Sequence, residues 1–301
     1  MPSRLLTASA LPTLRLAGLE LRARLRGLPP PLAPAARRLS KRIFTPGAVE
    51  ISTWQMPGAG SYRVFSSDSG TFDLSARRDT VLCCLRPRAK ESAVVEALRG
   101  PVCSFFLLDR GFEPLHAGAV VYRGSVLAFV GAPGAGKSSL VAWLSRAACK
   151  FLSDDVLPVR LVRGGARAFP GLPQLRLVPG SLRKLGLRRT KSRSAGDKIT
   201  LPVRPWLSRS SFPLGRIYFL ERGEIAPTSP PKVEPLPPRK VFLALAGHTL
   251  NAVLRTPVRM ERQLRVFGWL TNHVPARRLY YPTGFARLPR VWEAIQQDLS
   301  G

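Results

Sequence analysis

The sequence predicts an α/β fold organised around a phosphate-binding loop, preceded by a smaller β-rich region. Three observations predict it. The stretch "LAFVGAPGAGKSSLVAWL", residues 127–144, sets the pattern G-x-x-x-x-G-K-[ST] between an apolar run and a run free of Gly and Pro. A second short apolar run soon after it ends in two adjacent acids, Asp154 and Asp155. Upstream, residues 46–110 hold short strand-like segments separated by Ser, Asp, Gly and Arg.

The loop comes first because its context decides its meaning. Ser125 to Val130 is almost wholly apolar, as a buried parallel strand should be. Ser139 to Leu144 reads as the following helix. Between them Gly131, Ala132, Pro133, Gly134, Ala135, Gly136, Lys137, Ser138 and Ser139 form the candidate cradle. Glycines let backbone N–H groups turn inward and approach phosphate oxygens. The helix N-terminus adds partial positive charge. In this pattern Lys137 reaches the β- and γ-phosphates and the Ser138 hydroxyl ligates Mg²⁺, so ATP and Mg²⁺ are the expected cofactors. A nucleotide follows from the pattern; a reaction does not.

Composition sets the bounds. A chain of 301 residues holds one or two domains and a sizeable core. No apolar run reaches the roughly 20 residues that span a bilayer. The four cysteines have neither C-x-x-C spacing nor a neighbouring histidine cluster, which argues against zinc or a disulfide framework. Reduced core thiols and a cytoplasmic location are expected. Forty-seven Lys and Arg face 18 Asp and Glu, a net charge of +29. One reading of that excess is an acidic partner; the other is an arginine bias spread along the whole chain. No nucleic-acid motif appears and aromatics do not interleave with the basic runs, so specific nucleic-acid recognition is not expected. Non-specific binding to polyanions at low salt is.

Three regions follow. Residues 1–45 carry nine basic residues and one acid, Glu20; they read as a basic, disordered extension in which Leu14 to Leu25 has the makings of an amphipathic helix stopped by Pro29-Pro30-Pro31. Residues 46–110 read as the small β-rich region, with strands near Val64, Thr71–Leu74 and Thr80–Leu85, and a helix from Glu91 ending at Gly100. Residues 111–301 read as the nucleotide-binding domain. In it, Leu115–Val121 and Ser125–Val130 flank Tyr122-Arg123-Gly124 as a hairpin feeding the loop. Lys150–Val159 contains the strand with the Asp pair. Adjacent residues on a strand point to opposite sides, so one carboxylate suits a metal and the other suits accepting a proton. Arg188–Lys198 reads as a basic loop, Pro227–Pro238 as a surface linker, and Lys240–Ala252, Met260–Thr271 and Val291–Leu299 as helices, with Trp269 and Trp292 in the core.

Taken as a set, His116, GAPGAGKS and FLSDDV resemble the catalytic domain of HPr kinase/phosphorylase and its relatives, including the kinases encoded beside peptide-modification genes such as lasso-peptide kinases. "FPGLPQLRLVPGSLRKLGL", "DKITLPV", "LGRIYFLERGE" and "LYYPTGFARLPRVWEAI" extend the likeness over roughly residues 98–301. The resemblance implies a P-loop domain of the HPr kinase/PEP carboxykinase type. It implies an ATP- and Mg²⁺-dependent serine kinase with a protein or peptide acceptor, in a family that forms homo-oligomers. It implies a catalytic set of Asp154, Asp155, His116 and Lys137, with Asp154 the base, Ser138 and Asp155 at the metal, His116 near the phosphates, and Arg176 and Lys198 as further basic residues. Two departures matter. Ser139 stands where HPr kinases carry an acid, and "PGLPQLRLVPG" occupies the region of their E-I-R-G-L-G signature. HPr itself and the reverse reaction are therefore not implied. The competing reading is a nucleotide-binding scaffold or switch that transfers nothing.

Overall fold

A computed structural model describes residues 11–44, 49–57, 61–75, 79–187, 193–195, 198–203, 210–221, 229–251, 255–282 and 284–301. Most of the basic run 188–198 and the start of the proline-rich run lie outside the described residues. The chain divides into two units: Met1–Phe112 with Asn251–Arg259, and Glu113–Leu250 with Met260–Gly301.

The first unit is built on a seven-stranded sheet. Its strands are β1 (Thr13–Leu16), β2 (Leu19–Leu25), β3 (Arg37–Phe44), β4 (Val49–Gln55), β5 (Tyr62–Ser66), β6 (Gly70–Leu74) and β7 (Thr80–Leu85), in the order β1-β2-β7-β6-β5-β4-β3. Only β2 and β7 pair in parallel. The segment expected as a disordered, partly helical extension thus supplies three strands. The reason is local. Thr13 to Leu16 alternates exposed and buried, and Ala17 and Gly18 both take positive φ, the geometry of a two-residue hairpin turn. Leu14, Leu16 and Leu21 are buried together with Val64, Phe72, Leu74, Val81 and Cys83. After the sheet comes α1 (Glu91–Ala97), and the helix does not stop at Gly100: a wide π-helical turn over Leu98–Val102 absorbs Pro101 and leads directly into α2 (Cys103–Asp109). Phe105 of α2 lies 4.9 Å from Tyr62 of β5, ring to ring.

The second unit holds β8 (Glu113–Leu115), β9 (Ala117–Tyr122), β10 (Ser125–Val130), α3 (Lys137–Ala147), β11 (Lys150–Ser153), β12 (Leu157–Val162), β13 (Gly165–Ala168), β14 (Gln174–Leu177), α4 (Pro179–Lys184), β15 (Arg193–Ala195), β16 (Lys198–Pro202), β17 (Phe212–Glu221), β18 (Lys232–Pro235), α5 (Pro238–Gly247), α6 (Pro257–His273, its first turn in the other unit), β19 (Ala276–Tyr280) and α7 (Leu288–Ser300). Nine strands join into one mixed sheet around β17, the longest; β14, β16 and β15 form a separate antiparallel sheet. β10, β17 and β19 are parallel neighbours. Val126 to Val130 are all buried because both sheet faces are covered. Leu127 and Phe129 share a cluster with α3 and α7; Val126, Ala128 and Val130 share another with α5 and α6. The described part of the proline-rich run forms regular structure: Lys232–Pro235 pairs with β19, and Pro237 and Pro238 begin α5 where their missing N–H costs nothing. Trp292 is buried, and Trp269 is partly buried against the second cluster.

All four cysteines are buried and free, and burial pushes Cys83, Cys103 and Cys149 up to about 12. Among the described residues no helix is long and apolar enough to cross a membrane, and no group of three His, Cys, Asp or Glu is placed to hold a metal.

One half-buried carboxylate fastens α7 to the sheet. Asp298 accepts from Arg216 Nη1 at 2.6 Å and Tyr218 Oη at 2.8 Å on Oδ2, and from Arg277 Nε at 2.6 Å on Oδ1. Removing the carboxylate of a part-buried network leaves its donors uncompensated, at a cost of about 1–3 kcal/mol. Asp298→Ala is expected to lower unfolding stability by about that amount in urea titrations, and Asp298→Asn by less.

Candidate functional site

β10 delivers the chain to Gly131, and the loop turns into α3 through left-handed glycines, Gly134 at φ 84° and Gly136 at φ 96°. Gly131 is needed for a different reason: a Cβ there would meet the Leu220 carbonyl oxygen of β17 at 2.9 Å. Lys137 is buried. Its Nζ donates to the Gly131 carbonyl at 2.6 Å and the Ala132 carbonyl at 3.1 Å, so the side chain arches back over the loop. Burial lowers its pKa, opposed by Asp155 and Asp154 and reinforced by Lys198.

The two halves of the site meet at the next residue. Ser138 Oγ donates to Asp154 Oδ1 at 2.9 Å, and the Arg176 backbone N–H of β14 donates to Asp154 Oδ2 at 2.9 Å. Asp154 is 4% exposed. Burial first, then the neighbouring Asp155 charge, raises its pKa to about 7. Asp155 takes the left-handed conformation, φ 68°, and its Oδ2 pairs with Arg176 Nη1 at 3.1 Å. Its carbonyl oxygen accepts from His116 Nδ1 at 3.1 Å. Burial first, and then the Lys137 charge, lowers the pKa of His116.

The geometry corrects two expectations. The Asp pair lies just beyond β11, in a bend, so its two directions come from the positive φ of Asp155 and not from strand alternation. His116 sits in the kink between β8 and β9, not on a strand. The carboxylate that meets Ser138 is Asp154. Ser139, read as part of the cradle, directs its hydroxyl to Ser181 Oγ of α4 at 3.3 Å. Arg176 and Lys198, on neighbouring strands β14 and β16, both act on the carboxylates of the pair.

Four residues were missed. Tyr281, just after β19, is buried and donates to the Ala135 carbonyl of the loop at 2.6 Å. Gly118 of β9 lets α3 approach: a Cβ would lie 2.7 Å from Val141. Gly171 lies against the bend of the Asp pair, where a Cβ would fall 2.1 Å from Ser153 Oγ and 2.7 Å from the Val156 carbonyl oxygen. The backbone carbonyl of His248, at the end of α5, accepts from the His116 backbone N–H at 2.8 Å. The YY pair was the one visible cue for Tyr281; nothing in the sequence marks the other three.

The donors suit a small hard cation. Ser138 and Asp154 offer oxygens 2.9 Å apart and no sulfur or imidazole nitrogen, leaving the remaining positions to water and phosphate, as Mg²⁺ prefers.

No family model matches the chain. The tRNA modification GTPase MnmE of Mesorhizobium japonicum is 33% identical over 101 residues, covering 31% of this chain. The match spans 22% of that protein's own length. Among solved structures, the HPr(Ser) kinase/phosphatase from Coxiella burnetii aligns with a TM-score of 0.33 and 12% identity, over 62% of this chain and 91% of that one. The chain's own geometry, a mixed α/β sheet with strand, glycine loop and helix in sequence, is that of a P-loop-like nucleotide-binding fold.

Two outcomes are expected. Gly171→Ala forces Ser153 or the Val156 carbonyl to move, an overpacking cost of about 1–3 kcal/mol readable as a lower melting temperature. Because Asp154 binds its proton more tightly folded than unfolded, its contribution to stability is complete below about pH 4 and is lost as pH rises to about 7. Without nucleotide or metal, Asp154→Asn should therefore gain stability relative to the parent protein between pH 4 and pH 8 in paired thermal melts.

Proposed function

We propose that this protein is an ATP- and Mg²⁺-dependent kinase that phosphorylates a serine of a protein or peptide. The observation that carries the proposal is the Ser138–Asp154 hydrogen bond beside Lys137, which joins the phosphate loop to a second acidic group. In this reading Lys137 leaves the Gly131 and Ala132 carbonyls to meet the β- and γ-phosphates, and the loop N–H groups offset charge on the transferring group. Ser138 and Asp154 would hold Mg²⁺, which, when bound, neutralises charge on the phosphate oxygens. Asp154 has a protein donor on each oxygen, whereas Asp155 is the more exposed of the two, with 17% of its side chain accessible. Asp155 is therefore assigned as the base and Asp154 to the metal, the reverse of the roles the resemblance implies. The serine hydroxyl gives its proton to Asp155, its oxygen bonds to the γ-phosphorus, and the bond to the ADP leaving oxygen breaks. Arg176 orients Asp155, and His116 holds the bend through the Asp155 carbonyl.

A nucleotide-binding switch without transfer is the second reading. The Arg176–Asp155 ion pair favours it, since a carboxylate so paired is a weaker base. The partial match to a GTPase fits a nucleotide switch as well.

The deciding measurement is transfer of radiolabelled γ-phosphate from ATP to a library of serine peptides. Lys137→Ala is expected to lower kcat/KM at least 100-fold. Asp155→Asn should abolish transfer while leaving nucleotide affinity within about threefold. Tight nucleotide binding with no transfer to any peptide would select the switch.

A further inference from the structure

The glycine loop has two halves with different supports, and a peptide between them that belongs to neither. Pro133 and Gly134 fill the centre of a turn closed by the Ala135 N–H on the Ala132 carbonyl at 3.1 Å. Proline presets φ at the first central position, and Gly134, at φ 84°, supplies the positive φ that a type II turn needs at the second. On the other side, the hydrogen-bond ladder of α3 opens with the Gly136 carbonyl, which accepts from the Leu140 N–H at 2.9 Å. The Ala135–Gly136 peptide lies between the turn and the ladder. Gly136 sits at φ 96°, and glycine adopts either sign of φ at little steric cost. Local sequence therefore leaves this peptide free to turn over.

A distant side chain fixes it. The Tyr281 hydroxyl donates to the Ala135 carbonyl at 2.6 Å. Tyr281 is 3% exposed and Ala135 6%, so water competes little for the bond. The ring is held in the same buried cluster as Leu140 of α3, Leu279 of β19 and Leu288 of α7. In a trans peptide the C=O and the next N–H point in opposite directions. With the Ala135 carbonyl tied to Tyr281, the Gly136 N–H points away from that ring. An N–H in this place attracts a phosphate oxygen, whereas a turned-over peptide would present a carbonyl oxygen there and repel it.

We propose that Tyr281 is a positioning residue of the nucleotide site, whose hydroxyl keeps the Gly136 N–H aimed at the phosphates of a bound nucleoside diphosphate or triphosphate. This rests on the nucleotide-binding reading of the loop and is independent of phosphoryl transfer.

The test is calorimetric titration of the full-length chain with ADP and Mg²⁺. Tyr281→Phe keeps the ring and removes only the hydroxyl, and it is expected to weaken ADP binding about tenfold, the worth of one oriented charge-assisted hydrogen bond. Tyr218→Phe is the control. It removes another buried hydroxyl of the same unit, one that donates to Asp298 and not to the loop. It should lower the melting temperature and leave ADP affinity within about twofold. A second readout follows the Gly136 amide proton in magnetic resonance spectra of the isotope-labelled chain. Adding ADP should move it strongly downfield in the parent protein and less in Tyr281→Phe. Equal ADP affinity in the parent and Tyr281→Phe would overturn the proposal. So would an equal loss in Tyr218→Phe, which marks a general loosening of the unit, or a Gly136 amide that ADP does not move in the parent. The readings fail separately. A parent protein that binds ADP but transfers no phosphate loses the kinase reading and keeps this one; a parent that binds no ADP loses both.

Discussion

Asp154 is the point on which the nucleotide site depends. A carboxylate buried to this degree is tolerated only with its oxygens satisfied, and here the donors come from two different elements: the Ser138 hydroxyl at the start of α3 and the Arg176 amide of β14. The side chain therefore pins the phosphate loop to the small β14–β16–β15 sheet. Asp155 is then forced into a left-handed bend that points its carboxylate at Arg176 and its carbonyl at His116. Each neighbouring requirement follows from that bend. Gly171 leaves room for it, and Lys137 sits within the field of both carboxylates.

The same arrangement gives two adjacent carboxylates different environments. One carboxylate is enclosed and hydrogen-bonded, so its charge is costly until a cation approaches. The other is held by Arg176 and is the more exposed of the two. A single backbone dihedral does the sorting. Burial of one oxygen set, and not residue type, distinguishes the pair.

Much of this was legible in the residues. The loop, its flanking strand and helix, and the proximity of the Asp pair follow from apolar runs and glycine spacing, which report local structure directly. What was hidden depended on partners distant in sequence. Tyr281 meets Ala135 across 146 positions, and His248 reaches His116 through an edge bridge between Leu115 and Thr249. No local pattern announces either. The misreading of residues 14–25 had another origin. Leu and Arg at intervals of two to four satisfy both a helical stripe and strand alternation, and the Ala17-Gly18 turn decides between them. At Pro101 the rule that proline ends a helix gave way to a wider turn, which accommodates the ring without ending the helix.

The parallel order β10-β17-β19 has a consequence for how the chain is made. The strand that carries the phosphate loop is closed on one side by β9, its immediate neighbour in sequence, but on the other by residues 214–219. That strand in turn needs residues 276–280, and Arg216 and Tyr218 on it are neutralised or satisfied by Asp298. During synthesis the loop emerges early, with its helix but without its far wall. Such long-range pairings must bear the entropy of closing large chain segments before they gain any contact. The nucleotide site is therefore among the last parts of the second unit to become rigid, completed only when residues near 298 have left the ribosome, while the consecutive strands β3 to β7 of the first unit can pair as they appear.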